Sequence, residues 1–414
     1  YSSYRSSIWS PLPALDFRAH GITRVEESQH DPVSLIAEIA TRQAVLGAGL
    51  RPELADKRAN TYRLPGIDPQ RAGVYMGTGI GGAKSFLENF TYQAISRPRL
   101  ALEKARDALE SAGGDAVGLH EIIQRMVHGK RFNPFVVSML MPNAVSAYVG
   151  VKYALNGPNL TSTVACAAGT VALGQAFRAL RAGEIDVAIA GGAEYLDDYY
   201  GSIFLGFDVA GALVRDFEDA DAANRPFDVR RSGFLFSQGG ACVLVLEALD
   251  HAEERGAPIV AELAGAADTF DAYSMMNVAP DGRQVERMIR GALADADLEP
   301  ADIQYVNAHG TGTQANDEIE AMLIERVFGT RVRVNSTKSL LGHTIGASGA
   351  LEAAVTALSL EHQCLHPCRN LEQPVAELAF VRETTHADLD AALSHSFAFG
   401  GHNAGLVFRR YTGR

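Results

Sequence analysis

Ser162-Thr163-Val164-Ala165-Cys166-Ala167-Ala168-Gly169-Thr170 is the stretch from which the chain is best read. Small residues surround one cysteine, and Val171, Leu173, Phe177 and Leu180 then recur at helical spacing. The pattern predicts a tight turn opening an amphipathic helix, with Cys166 at its N-terminal end. The positive end of a helix dipole favours thiolate over thiol, so Cys166 is expected to be a nucleophile at neutral pH. For an isolated cysteine a small buried core residue is the commoner role. Two histidine motifs further on reverse that weighting.

The first is Asn307-Ala308-His309-Gly310-Thr311-Gly312-Thr313, which follows the apolar run 303–306 and so places His309 just past a strand end. The second is Lys338-Ser339-Leu340-Leu341-Gly342-His343-Thr344-Ile345-Gly346-Ala347-Ser348-Gly349. It follows the strand-like Val332-Arg333-Val334 and leads into a helix from about Ala350. Loops of glycine and small hydroxyl residues at strand exits let backbone and ligand approach closely, so both histidines are expected to line a site.

Taken together, these residues resemble the elongating β-ketoacyl-[acyl carrier protein] synthases, the condensing enzymes of fatty acid and polyketide synthesis. The resemblance runs from about Gly73 to Val407. It includes Asp186-Val187-Ala188-Ile189-Ala190-Gly191-Gly192-Ala193-Glu194, Arg225-Pro226-Phe227-Asp228 and Ser396-Phe397-Ala398-Phe399-Gly400-Gly401-His402-Asn403. Each motif is weak alone; their order and separation are specific.

The resemblance implies an α/β, thiolase-like fold: two similar halves forming a layered α-β-α-β-α core. Cys166-Ala-Ala-Gly and Gly346-Ala-Ser-Gly, each leading into a helix, are a faint echo of such a duplication. The halves are expected over residues 1–255 and 256–414, dividing near Arg255-Gly256-Ala257-Pro258. A helical insertion is expected near 100–130: a helix from Leu100 to Leu109, a break at Gly113-Gly114, and a second helix from about Leu119 to Val127. Its basic end, Arg125, His128, Lys130 and Arg131, is either an inert solvated hairpin, the slightly favoured reading, or a contact for an acidic partner.

The implied chemistry has two stages. Cys166 takes an acyl group from a carrier thioester; a malonyl-carrier then loses CO2 and its carbanion attacks the acyl-Cys166 thioester. Backbone N–H groups at Cys166 and Phe399 would stabilise the tetrahedral oxyanions, and the imidazoles of His309 and His343 the enolate. Lys338 and Glu352 are assigned as support, and Phe399 also as a gating aromatic, with Gly400 allowing its loop to move. Thr311 and Thr313 resemble the residues that hydrogen-bond the phosphopantetheine arm. Met141 aligns with the position closing the acyl pocket, with ordinary core packing as the alternative, and Phe207 is placed with the substrate-binding residues.

Several positions depart from the family pattern. Met276 stands where a threonine is common after Asp271-Ala272-Tyr273-Ser274-Met275, Gln238 replaces an acidic residue, and Gly211 stands where a docking arginine is common. No N-terminal Val/Ile-rich strand is legible. Gly77, Gly79 and Gly82 match G-x-G-x-x-G, but no ribose-binding acid follows at the right distance, so a synthase loop is preferred to a dinucleotide site. His362-Gln363-Cys364-Leu365-His366-Pro367-Cys368 fits no standard zinc spacing, and no metal is expected.

Composition is compatible with this reading. Apolar content of 47% and charged content of 21% are those of a globular protein. A net charge of -12 argues against general nucleic-acid binding, and makes docking of an acidic carrier depend on a local basic patch. Four cysteines show no disulfide framework, and no apolar run approaches a membrane span. The Ser-rich residues 1–10 show no leader pattern, so the protein is read as cytoplasmic.

The expected cofactor set is therefore empty apart from the carrier's phosphopantetheine arm. The expected partners are the acyl carrier protein and a second subunit, identical or synthase-like, in a dimer. Two rivals remain. A thiolase-type acyltransferase would need a second cysteine, which Ala398-Phe399-Gly400-Gly401-His402 lacks, and an inactive synthase-like subunit would lack the Cys166, His309, Lys338 and His343 present here.

Overall fold

The structure, a computed structural model, describes residues 4–125 and 132–413. His128, Lys130, Arg131 and the Arg125 side chain of the basic cluster lie outside the described residues.

Two sheets organise the chain. The first contains β1 (Ala72–Gly77), β2 (Asn159–Ser162), β3 (Val187–Tyr195) and β4 (Gly239–Glu247), in the spatial order β2-β1-β3-β4. The second contains β5 (Ala261–Phe270), β6 (Tyr305–Asn307), β7 (Arg333–Asn335), β8 (Ala379–Phe380), β9 (Ala391–Ala398) and β10 (His402–Arg410), in the order β8-β7-β6-β9-β10-β5. β1 runs parallel to β2 and β3, and β4 closes antiparallel on β3. β6 runs parallel to β7 and β9, and β10 closes antiparallel on β9. The series β2-β1-β3-β4 and β7-β6-β9-β10 thus repeat in order and in sense. β8 and β5 extend the second sheet alone.

The main helices are α1 (Pro32–Gly47), α2 (Ala83–Ser111), α3 (Val117–Arg125), α4 (Ala144–Lys152), α5 (Ala168–Arg181), α6 (Arg283–Asp295), α7 (Gln314–Phe328) and α8 (Ser348–His362). α1 and α4 cover the outer face of the first sheet, and α6 that of the second. α7 joins α6 there through Leu323, Ile324 and Val327. α5 and α8 pack on each other and on strands of both sheets, forming the middle layer. Their facing residues are small: Ala172, Ala176, Ala350, Ala353 and Ala357 are buried in one cluster with Leu173 and Leu360. Small side chains let two helices fit between two sheets. Leu173 is fully buried there, and its truncation to Ala would cost about 2–5 kcal/mol.

The repeat extends to backbone detail. A 3-10 turn, Ala165–Ala167, precedes α5, and another, Ile345–Ala347, precedes α8. Ala165 and Ile345 occupy matching positions, with φ of 46° and 50°. A left-handed conformation is costly for a β-branched isoleucine, so the packing around both turns must hold it.

One expectation needs correction. The insertion helix does not begin at Leu100: α2 runs unbroken from Ala83 through Pro98 to Ser111. Pro98 removes one backbone bond but does not end the helix, and the Arg99–Glu103 pair at 2.8 Å bridges the following turn. At the N-terminus, Trp9–Ser10 pairs in parallel with Phe236–Ser237 and joins neither main sheet. No described helix is long and apolar enough to cross a membrane.

Candidate active site

The glycines after β1 are there for packing. A β-carbon on Gly77 would overlap the backbone of Ala168, and one on Gly82 the carbonyl of Met139. The G-x-G-x-x-G match is therefore the loop that lets β1 end against the first turn of α5, as the synthase reading expected. Glu194, at the end of β3, holds this loop. Its carboxylate accepts the backbone N–H groups of Gly79 (2.5 Å), Ile80 (3.2 Å) and Gly346 (3.0 Å), and the Thr78 hydroxyl (3.2 Å). One buried side chain thus ties the first half to the turn just beyond His343. Burial still pushes its pKa up to about 7 against those donors.

Cys166 lies in the 3-10 turn ahead of α5 and is 3% exposed. His343 Nε2 is 3.1 Å from its Sγ. The Ile345 backbone N–H donates to His343 Nδ1 at 3.2 Å, with Ser348 Oγ 3.0 Å away. An Nδ1 that accepts leaves the ring proton on Nε2, facing the sulfur.

His309 follows β6, and its backbone N–H and that of Gly310 donate to Glu320 at 2.7 and 2.8 Å. Lys338 Nζ stands 3.1 Å from His309 Nδ1, donates to the His309 carbonyl at 2.7 Å, and forms a buried ion pair with Glu352. A lysine only donates, so His309 too carries its proton on Nε2. The two imidazoles lie edge to face, with centroids 5.6 Å apart.

Burial, reinforced by Lys338, holds both histidines well below the ordinary imidazole pKa, so both are neutral donors. For Cys166 the direction is opposite to that expected from a helix end. Complete burial pushes its thiol up to about 12, although Lys338 and the backbone N–H groups of Phe399 and Cys166 itself favour the thiolate. Desolvation, with the nearby Glu194 carboxylate adding to it, outweighs the three favourable contributions, and the thiol is the favoured resting form.

The other expected residues fall in two groups. Phe207 packs in the apolar cluster around Cys166, its ring 5.5 Å from that of Phe234, which in turn lies 5.1 Å from His343. Thr311 and Thr313 share a hydroxyl contact at 2.9 Å in the His309 loop. Gly400 has φ 90° and donates to the Met275 carbonyl at 2.9 Å, which places the loop after Phe399 beside Met276. Met276 is 51% exposed. Met141 is also exposed, at the end of the short helix Val136–Leu140, and does not join the Cys166 cluster in the single chain. Gln238 bonds Asp197 and the Leu12 N–H rather than facing the site. Among the described residues no cluster of His, Cys, Asp or Glu could hold a metal; His366 contacts Thr337, and Cys364 and Cys368 are free thiols.

Asp317, Glu320 and His395 were not anticipated. Asp317 accepts the N–H groups of Thr311 and Gly312, while Glu320 holds the His309 backbone and contacts His395 Nε2 at 2.6 Å. The available signal was the pair of acids three residues apart in the helix directly after the His309 motif, which places them on one face.

Two family models match the chain: "Beta-ketoacyl synthase, N-terminal domain" over residues 10–251 and "Beta-ketoacyl synthase, C-terminal domain" over 260–372. The 3-oxoacyl-[acyl-carrier-protein] synthase 2 of Staphylococcus aureus (strain COL) is 35% identical over 396 residues, covering 94% of this chain and 84% of that protein. A ketosynthase structure described as a type II PKS acyl-carrier protein in complex with its ketosynthase bound to the hexaketide has a TM-score of 0.77 at 28% identity, covering 93% of this chain and 86% of that one. The ishigamide ketosynthase/chain length factor structure has a TM-score of 0.78 at 29% identity, covering 99% and 89%. With a fold of two repeated sheets and a Cys166, His309 and His343 cluster between them, the chain belongs to the beta-ketoacyl synthase family.

Proposed function

We propose that this chain catalyses the decarboxylative condensation of an acyl group held on Cys166 with malonyl-[acyl carrier protein], giving a β-ketoacyl-[acyl carrier protein] two carbons longer. The observation that carries the assignment of roles is the 3.1 Å approach of His343 Nε2 to Cys166 Sγ, beside a second neutral imidazole with the same tautomer.

The residues divide the work as follows. In acyl transfer the Cys166 sulfur attacks the carrier thioester, the bond to the pantetheine sulfur breaks, and the thiol proton ends on that departing sulfur. His343 is not the base, because its Nδ1 already accepts the Ile345 N–H; its Nε2–H stabilises negative charge on Cys166 sulfur as the proton leaves. The N–H groups of Cys166 and Phe399 receive the tetrahedral oxyanion. In condensation the malonyl group loses CO2, and the resulting enolate oxygen takes hydrogen bonds from His309 and His343. Its carbon attacks the acyl thioester, the carbon–sulfur bond to Cys166 breaks, and the sulfur leaves as a thiolate that takes a proton from solvent water. Lys338 keeps His309 in the donating tautomer, and Thr311 and Thr313 hold the phosphopantetheine arm delivered by the carrier.

The partners are an acyl carrier protein and a second synthase-type subunit. Support comes from the two solved relatives, one bound to its carrier and one paired with a chain length factor. Exposed Phe132, Phe135, Val137 and Met141 give an apolar surface for such a subunit, and Met141 would then close the acyl pocket from the interface. The two halves divide near residues 255–256, between the last strand of the first sheet and the first strand of the second. Intact-protein mass spectrometry after incubation with a panel of acyl-carriers tests the assignment. An acyl adduct on Cys166, released as a β-ketoacyl-carrier when malonyl-carrier is added, is expected; an adduct elsewhere overturns it.

A further inference from the structure

The two halves hold the loop after their matching strands β1 and β6 in different ways. Gly77 of β1 lies opposite Gly192 of β3, and Asn307 of β6 lies opposite Ser394 of β9. By that register Gly79 corresponds to His309, Ile80 to Gly310, and Glu194 to Ser396. In the first half the N–H groups of Gly79 and Ile80 are accepted by Glu194, carried on the neighbouring strand itself. In the second half Ser396 contacts Thr170 instead, at 2.7 Å, and the N–H groups of His309 and Gly310 are accepted by Glu320 of α7.

The neighbouring strand still takes part, one step removed. His395 of β9 is fully buried, as is Glu320, and its Nε2 is 2.6 Å from Glu320 Oε1. A carboxylate only accepts, so Nε2 carries the proton and donates. Each Glu320 oxygen then receives two donors. Oε1 takes the His309 N–H at 2.7 Å and His395; Oε2 takes the Gly310 N–H at 2.8 Å and the Asn316 side-chain amide at 3.2 Å.

His395 Nδ1 meets no hydrogen-bond partner among the described residues. An unpaired buried nitrogen is costly, so an apolar side chain would serve better if filling space were the only requirement. The ring also packs 4.9 Å from Phe397, whose ring lies 5.5 Å from that of His309. What separates the imidazole from an apolar filler is its single hydrogen bond to Glu320. Without that bond the carboxylate is held only by the loop it positions and by Asn316 of its own helix.

We propose that His395 is a positioning residue for the condensation. It fixes the Glu320 carboxylate from β9, and through it the His309 main chain, so that His309 Nε2 is aimed at the enolate oxygen. This rests on the enolate-binding role given to His309 above. Cys166 and His343 are held by other contacts, so acyl transfer does not depend on His395.

His395→Gln and His395→Met test this in the full chain. The two side chains are of equal length, and the Gln amide nitrogen stands as many bonds from the backbone as Nε2, but only Gln donates. Exchange of the His309 and Gly310 amides, read by fragmentation of the peptide 303–313, is expected to quicken at least about tenfold in His395→Met and less than about threefold in His395→Gln. Release of CO2 from malonyl-carrier should fall about 10–100-fold in His395→Met and recover to within about threefold in His395→Gln, while acyl transfer to Cys166 stays within about twofold of the parent in both. Glu320→Gln, which leaves one acceptor oxygen for two amides, is expected to behave like His395→Met, and adding His395→Met to it should cost less than about twofold more, because both act through the same carboxylate. If His395→Met does not fold, Glu320→Gln alone decides by the same two readouts. Parent-like amide exchange in the donorless variants overturns the proposal. An equal loss of acyl transfer and CO2 release overturns it too, since that marks a general folding role, as does His395→Gln failing as fully as His395→Met. A parent chain that releases no CO2 would instead sink the condensing assignment, and the amide exchange would still decide the role of His395.

Discussion

Gly169 lies directly against Ala350, so closely that a β-carbon on the glycine would stand 2.7 Å from the Ala350 backbone nitrogen. Gly349 is pressed as tightly on Thr170, with its β-carbon position 2.9 Å from the Thr170 nitrogen. The first turns of α5 and α8 thus cross backbone to backbone. Because Cys166 precedes one turn and His343 the other, this crossing sets the distance between sulfur and imidazole.

Gly169→Ala is expected to separate the two turns by several tenths of an ångström. Overpacking of this kind costs about 1–3 kcal/mol. The effect on turnover should exceed that on stability, because Cys166 and His343 move relative to each other. Calorimetry with single-turnover condensation checks this. A variant that loses Tm but keeps full turnover would show that the crossing does not position the site.

Lys338→Ala tests the tautomer argument. Without the lysine, His309 Nδ1 loses its donor and the ring is free to place its proton on the wrong nitrogen. Malonyl decarboxylation and condensation should fall about 10²–10³-fold, the scale of one lost oxyanion donor, while acylation of Cys166 persists. The substitution also leaves Glu352 buried without its partner, and one Glu352 oxygen already lacks a hydrogen bond. Burial holds Glu352 up to about 7 even against Lys338, so in the variant it should take up a proton. The double variant Lys338→Ala, Glu352→Gln is expected to recover Tm but not turnover, separating the catalytic loss from the folding loss.

The second histidine loop shows how far the sequence could be read. Lys338 and His343 were legible because a fixed offset and flanking glycines mark a loop built around a site. Their carboxylate partners were less so: Glu352 came from family resemblance, while Glu320 and Asp317 look like ordinary polar residues of a helix until the fold turns them onto the His309 backbone. The duplication was visible only as two short Ala/Gly echoes, since the repeat lies in strand order and in two left-handed turns that different sequences adopt. The Cys166 pKa was misjudged for a physical reason. A helix end is readable in sequence, but the complete burial that outweighs it comes from Leu213, Phe234 and Ile345, residues distant along the chain.

The pH dependence of Cys166 alkylation follows from that burial. The folded pKa is raised to about 12, so the thiolate is the minor species throughout the neutral range. Its fraction grows tenfold with each pH unit as long as pH stays below that value. The iodoacetamide rate is therefore expected to rise with unit slope in a logarithmic plot from pH 7 to 9, with no plateau. An unperturbed cysteine, with a pKa of about 8.5, would already bend over in that range. A plateau at or below pH 8 would show that the helix end and Lys338 outweigh burial after all.

What distinguishes Cys166 from the other thiols is its neighbours rather than its pKa. Burial also pushes Cys242 and Cys368 up to about 12, and for Cys242 nothing opposes it. Cys166 has the His343 Nε2 contact and the Phe399 N–H to stabilise its sulfur once the proton leaves. Cys166→Ala should therefore abolish both the acyl adduct and condensation, with no transfer of the acyl group to Cys242, Cys364 or Cys368. Cys166→Gln should separate the two stages. It cannot hold an acyl group, but it leaves His309, His343 and Lys338 in place, and its amide occupies the position of the acyl thioester. Malonyl-carrier decarboxylation should persist in this variant and fall about 10²–10³-fold when His309→Ala is added. The measurement is release of CO2 from malonyl-carrier in the absence of an acyl donor. Decarboxylation that survives the added His309→Ala change undiminished would remove His309 from the enolate-binding role. An acyl adduct mapped to another cysteine would remove Cys166 from the nucleophile's role.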